Sequence, residues 1–196
     1  VATDTLAGTR IRSDLKDIGS AISVVTKDLM NDIGATDATT LLQYTTNTEV
    51  GGTRGVFSGM NGTADEGNAL RNPTSSQRTR GLDAADNTRD YFVSDIPWDS
   101  YNTDRIDILR GPNSFLFGLG SPAGIQNASM QTAMFTNKGT AEYRIASYGS
   151  QRASLNVNHV LIDDVLAIRV AGLWDHENFR QKPAFENDER VFASLR

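Results

Sequence analysis

No cysteine occurs in the 196 residues, which removes disulfide frameworks, thiolate metal sites and cysteine nucleophiles. No run approaches the roughly 18 apolar residues of a membrane-spanning helix, so a helical membrane protein is excluded. Basic charge is also short: 19 Lys and Arg against 24 Asp and Glu give a net charge of −5 with no block of one sign. A chain without a basic face is a poor fit to non-specific nucleic-acid binding, and no nucleic-acid partner is expected. Repeats of about 20 to 50 residues are missing, so a solenoid or propeller reading gets no support. The opening Val1-Ala2-Thr3-Asp4-Thr5 has neither Met nor a basic then apolar leader, so any targeting signal is expected to have been removed or to lie outside the chain. His159 and His176 are the two histidines, and neither stands in a nucleophile or metal-ligand motif. No catalytic constellation, metal site or cofactor site is visible.

What is present changes in style along the chain. Seventeen glycines, with Ser, Thr, Asn and Asp throughout, assign much of the length to turns and loops and argue against a helical bundle. Ser20 to Val25 is short and β-branched, as a strand should be. Thr26 then caps a predicted helix from Lys27 to Ile33 that Gly34 ends. A second short helix is predicted with Thr36 as cap, Asp37 in its first turn, and Leu41, Leu42 and Tyr44 as apolar contacts. Between Glu49 and Leu82 the composition favours loop over packed element. Order resumes at Tyr91-Phe92-Val93 and at Arg105 to Arg110, where Ile106 and Ile108 share one strand face and Arg105, Asp107 and Leu109 the other.

After about Lys138 the pattern becomes period-two. Ala153, Leu155, Val157, His159 and Leu161 alternate with Ser154, Asn156, Asn158 and Val160. Beyond Ile162-Asp163-Asp164, a turn, Leu166, Ile168, Val170 and Trp174 fall opposite Arg169 and Asp175. Ala141 to Tyr148 is also strand-like, and Tyr148-Gly149-Ser150-Gln151 is a turn candidate. At about 10 residues each, this length of chain provides three strands and the start of a fourth. Two structures build such a sheet: a soluble domain that buries the apolar face, and a transmembrane barrel that turns it to lipid.

The stretch Gly111 to Gly124 is glycine-rich and follows a strand, as a phosphate cradle would. It lacks Gly-Lys-Ser/Thr and G-x-G-x-x-G, and Pro112 removes a backbone donor, so nucleotide binding is rejected. Asn61, Asp65, Glu66 and Asn68 do not have the spacing of an EF-hand loop and read as solvated loop residues.

The motifs, taken in order, resemble one family. Asp17-Ile18-Gly19-Ser20-Ala21-Ile22-Ser23-Val24-Val25-Thr26-Lys27-Asp28, then Thr40 to Tyr44, Thr79-Arg80-Gly81, Val93-Ser94-Asp95-Ile96-Pro97, Asp104 to Ser114, Phe117-Gly118 and Ala123-Gly124-Ile125-Gln126-Asn127 are together similar to the plug of TonB-dependent outer-membrane receptors. The chain departs from the family where Ser94-Asp95 replaces the usual Asp-Gly, and where Ala128-Ser129 follows Asn127 in place of Thr-Lys. The resemblance implies an α+β plug, a small mixed sheet with short helices and long loops, over residues 1–138. The first three to four antiparallel strands of a transmembrane barrel would follow over 139–196, with further strands, a TonB box and a signal peptide outside a chain that is a fragment. It also implies an outer-membrane location in a Gram-negative bacterium, with the plug in the barrel lumen facing the periplasm. The partners implied are TonB with its inner-membrane energising proteins, outer-membrane lipid and an extracellular solute, most often an iron–siderophore complex. No bond chemistry on the solute and no cofactor are implied. The residues that carry the plug motif and its contacts to the barrel would be Arg80, Gly81, Arg105, Asp107, Arg110, Gly111, Pro112, Gly118 and Gly124. Arg80 and Arg110 would take carboxylates through a bidentate guanidinium, a geometry that intradomain salt bridges also use. Arg54, Arg71 and Arg78 in the long loop are candidates to meet the solute. The alternative is a structural or adhesive surface β-domain without transport.

Overall fold

In the computed structural model, residues 2–9, 11–51, 77–82, 84–111 and 121–196 are described. The chain folds as two compact units, Val1–Met130 and Gln131–Arg196.

The first unit begins with a small hairpin, β1 (Asp4–Thr5) and β2 (Ser13–Asp14). β3 (Ala21–Thr26) runs directly into helix α1 (Lys27–Asp32), whose cap is Thr26: its hydroxyl accepts from the Leu29 N–H. Gly34 stops the helix in the left-handed region, φ 69°, as a C-terminal glycine does. Helix α2 (Ala38–Leu42) corrects the expected cap by one residue. Asp37, not Thr36, takes the Thr40 N–H at 2.8 Å, because a carboxylate is the stronger acceptor and also meets the positive end of the helix. Leu41 and Leu42 are buried, whereas Tyr44 is exposed and adds no core contact.

A second correction concerns the ends of the long loop. Thr48–Val50 (β4) and Gln77–Thr79 (β5) form an antiparallel ladder. Burial of Val50, Gln77 and Thr79 supplies the ordering that the local composition does not. The main sheet is completed by β6 (Asp86–Arg89), β7 (Phe92–Val93), β8 (Thr103–Arg110) and β9 (Gly124–Met130), in the order β3-β8-β9-β6-β7. It is mixed, since β6 lies parallel to β9 and the other pairs are antiparallel. Ile106 and Ile108 of β8 enter the main core with Val25, Met30, Leu41, Leu42 and Trp98. Leu109, on the other face, is buried too, in a second cluster with Ala7 and Ile125. β8 is therefore covered on both faces.

The second unit is a four-stranded antiparallel meander: β10 (Lys138–Ile145), β11 (Gln151–Ile162), β12 (Leu166–Asn178) and β13 (Phe185–Leu195). Its fourth strand runs for 11 residues, more than the start that the sequence arithmetic allows, because the connections are short. Asp164 turns β11 into β12 at φ 53°, and Tyr148 and Gly149 turn β10 into β11 at φ 61° and 82°. The seven-residue segment Gln131–Asn137 lies on the sheet. Asn158, 1% exposed, accepts from the Met134 N–H at 2.9 Å and donates to the Met134 and Thr136 carbonyls at 2.7 and 2.5 Å. Asn156 holds Gln131 at 2.6 Å, and Ser194 takes the Ala133 N–H at 3.3 Å.

Candidate functional site

In the first unit, chemistry-bearing side chains converge on one buried carboxylate. Asp107 stands on β8 with no solvent exposure. The Thr5 hydroxyl donates to its Oδ1 at 3.0 Å and in turn accepts the Ala7 N–H at 3.0 Å. The Tyr91 phenol reaches Oδ2 at 3.4 Å, and the Arg105 Nε lies 3.5 Å away. Arg105 also donates to the Asp4 carbonyl at 3.2 Å and to its carboxylate at 3.4 Å. Burial pushes the Asp107 carboxyl above the usual aspartate range, against the pull of Arg105, Thr5, Tyr91 and Asn127. Burial likewise pushes the Tyr91 phenol up, with the Asp107 charge adding to it.

Tyr91 is held in an unusual backbone. Asp90 and Tyr91 form the two-residue turn between β6 and β7 with φ of 47° and 67°. Two left-handed residues suit such a hairpin, but a bulky aromatic one is an outlier. The turn is fastened at three points: the Asp90 N–H to the Ala128 carbonyl at 3.0 Å, the Tyr91 N–H to Asn127 Oδ1 at 2.6 Å, and the Met130 N–H to Asp90 Oδ1 at 3.0 Å. The hairpin tip beyond it is open, with Phe92 79% exposed.

Arg110 closes the same strand. Its Nη1 donates to Ser23 Oγ at 2.8 Å and its Nε to the Thr46 carbonyl at 3.1 Å, while Nη2 is buried without a partner among the described residues. Burial holds its guanidinium below the ordinary arginine range. Arg80 lies beside the next residue, Gly111: its Nη1 is 3.2 Å from the point where a Cβ on that glycine would stand. Among the described residues, neither arginine forms an ion pair. Gly81 and Gly111 have φ of 70° and 102°, and Gly124, at 114°, leaves no room for a Cβ against the Leu109 carbonyl oxygen. Arg78 pairs with Glu49 across β4 and β5, and that hydrogen bond holds the Glu49 carboxyl below its usual range. Arg54, Arg71, Pro112 and Gly118, with Asn61, Asp65, Glu66 and Asn68, lie outside the described residues.

The second unit inverts the arrangement of a soluble sheet. Its exposed face carries Tyr143 and Ile145 of β10, Leu155, Val157 and Leu161 of β11, Val170 and Trp174 of β12, and Val191 and Leu195 of β13. Its covered face carries the charge. Arg144, Arg152, Asp175 and Asp188 stand in one cross-strand row, with Arg152–Asp175 at 2.7 Å and Asp188–Arg190 at 2.5 Å. Arg169 is 7% exposed on the same face and donates to Gln131 at 3.3 Å. Trp174, His176 and Phe185 stack along the exposed face near one end. Water does not favour apolar side chains displayed in register while ion pairs are covered; a bilayer does.

A plug-like mixed sheet followed by inside-out strands is a family architecture, and the TonB-dependent Receptor Plug Domain family matches residues 14–125. The chain belongs to this family. Among curated relatives it is 28% identical over 173 residues to the Catecholate siderophore receptor Fiu of Escherichia coli K12, covering 85% of this chain and 21% of that one. It is 26% identical to the Ferrichrome outer membrane transporter/phage receptor of the same strain, over 94% of this chain and 24% of that one. The fold matches the ferripyoverdine receptor of the Pseudomonas aeruginosa outer membrane with a TM-score of 0.81 at 17% identity, covering 98% of this chain and 25% of that structure. The chain thus spans about a quarter of its relatives' length, and its fold is a plug followed by the first antiparallel strands of a transmembrane barrel. In the plug, the motif strand β8 is legible in the sequence, but the link from Asp107 to Thr5 and Tyr91 is not. Only an isolated acid between two buried isoleucines hints at it.

Proposed function

We propose that this chain is the plug and first wall strands of an outer-membrane transporter that takes up a ferric siderophore with energy delivered by TonB. The observation that carries the reading is the inverted strand polarity joined directly to a TonB-dependent receptor plug. Relatives named for catecholate siderophores and ferrichrome favour iron chelates as cargo. In this reading the plug ends and the wall begins within residues 131–138. The tight turn at Asp163-Asp164 marks the periplasmic end, since such barrels have short periplasmic turns and longer outer loops. The strand from Leu166 to Trp174 covers eight residue steps, about 20 Å of bilayer at a tilt near 40°, against an apolar band of about 25 Å. Arg80 and Arg110 are the proposed donors to carboxylates from elsewhere in the receptor, because a guanidinium that has no acid partner among the described residues gains most from one. The solute is carried without bond chemistry.

Iron-limited growth tests the reading. A strain deleted for the receptor that contains this chain should lose uptake of one ferric siderophore, regain it with the intact gene, and fail to regain it when TonB is absent. Unchanged growth and uptake across catecholate, hydroxamate and mixed siderophores would reject transport of this cargo class.

A further inference from the structure

The buried carboxylate of Asp107 joins segments that are remote in sequence and different in exposure. On one side is the N-terminal strand β1, held by the Thr5 hydroxyl at 3.0 Å and, through Arg105, by Asp4. On the other is the β6–β7 hairpin, whose left-handed Tyr91 touches the same carboxylate at 3.4 Å while Phe92 and Val93 beside it face outward. Tyr91 also packs on the cluster that contains Ala7, so the hairpin and the N-terminal segment share an apolar contact as well as an acid.

We propose that Asp107 is a positioning residue that couples the exposed β6–β7 hairpin to the docking of the N-terminal strand on the plug. The two donors share one acceptor and their hydroxyls also meet each other beside it. When Thr5 leaves, the carboxylate loses a partner and Tyr91 loses the neighbour that fixes the acid; when the strained Tyr91 turn relaxes, the hold on Thr5 weakens. Such coupling is reciprocal by thermodynamic necessity, and its two-state element is the N-terminal strand, docked or undocked. The inference rests on plug geometry alone and holds whatever the receptor carries.

Hydrogen exchange on the intact receptor tests it, read in peptides that cover Ala2–Thr9 and Thr88–Ser94. Thr5→Val and Tyr91→Phe each delete one hydroxyl and keep the volume. Loss of a hydrogen bond to a carboxylate should speed exchange about tenfold in the variant's own segment and at least about twofold in the other. The double variant should fall short of the product of the two singles, since both act through one acceptor. Thr5→Ser should restore wild-type exchange in both segments, which a purely steric role for Thr5 does not predict. Acceleration confined to each variant's own segment, or a double variant equal to the product of the singles, would overturn the coupling.

Discussion

The two units bury charge in opposite ways. The plug brings the Asp107 carboxylate to its centre and surrounds it with donors from β1, β8 and the β6–β7 turn. The meander collects a row of charges on one face of a sheet and leaves its apolar face open. The first arrangement serves a domain whose surroundings are water and other polar groups. The second serves a wall between lipid and a polar interior. In the proposed reading one chain meets two solvents, and the sign of a substitution's effect should depend on which unit it enters.

The largest effect is expected at Asp107. Asp107→Ala strips the partner from Arg105 and Thr5 inside a buried site and should cost the plug about 3–5 kcal/mol, read as the midpoint shift of the plug transition in denaturant. Next is Gly124→Ala, which combines a φ of 114° with a clash against backbone and should cost about 3 kcal/mol. Gly149→Ala, with φ of 82° and open space around it, should cost only about 1 kcal/mol. In the wall, Val157→Arg places a charge on the outward face and should cost about 2–4 kcal/mol in folding from urea into bilayers. A sheet that showed this face to water would register less than about 0.5 kcal/mol. Asn158→Ala removes three hydrogen bonds to the Gln131–Asn137 segment and should cost about 1–3 kcal/mol, with faster hydrogen exchange at the Met134 amide, the one N–H of the three.

The smallest effect is on pH dependence. Burial raises the Asp107 pKa, so the folded plug binds this proton more tightly than the unfolded chain does. Its contribution is complete below the ordinary aspartate range and is lost as pH rises through the raised value. Wild-type plug stability should fall across that window, and the slope should flatten in Asp107→Asn when both are titrated by denaturant unfolding.

The elements themselves were largely legible. β3, α1, β8 and the meander stand where β-branched runs, the Thr26 cap and period-two alternation put them, because each signal is local. What was not legible depends on distant partners. Thr5 and Asp107 are 102 residues apart, and nothing near either names the other. The Glu49–Leu82 composition hides β4 and β5, whose order comes from burial of Val50 and Thr79 rather than from propensity. Alternation marks two faces of β11 but is the same for a sheet in water and a sheet in lipid. The direction of exposure decides between them, and only the folded unit has it. The family resemblance pointed the right way from motifs in the plug.

The central claim is that the apolar face of β11 meets lipid. Single spin labels placed in turn at residues 154 to 161 of the intact receptor in bilayers, on a segment with no cysteine, test it through collision with oxygen and with a water-soluble nickel chelate. Oxygen access should peak at Leu155, Val157 and Leu161 and fall at Ser154, Asn156 and Asn158, with nickel access low at the peaks. High nickel access at Leu155 and Val157, or no alternation along the strand, would contradict the account.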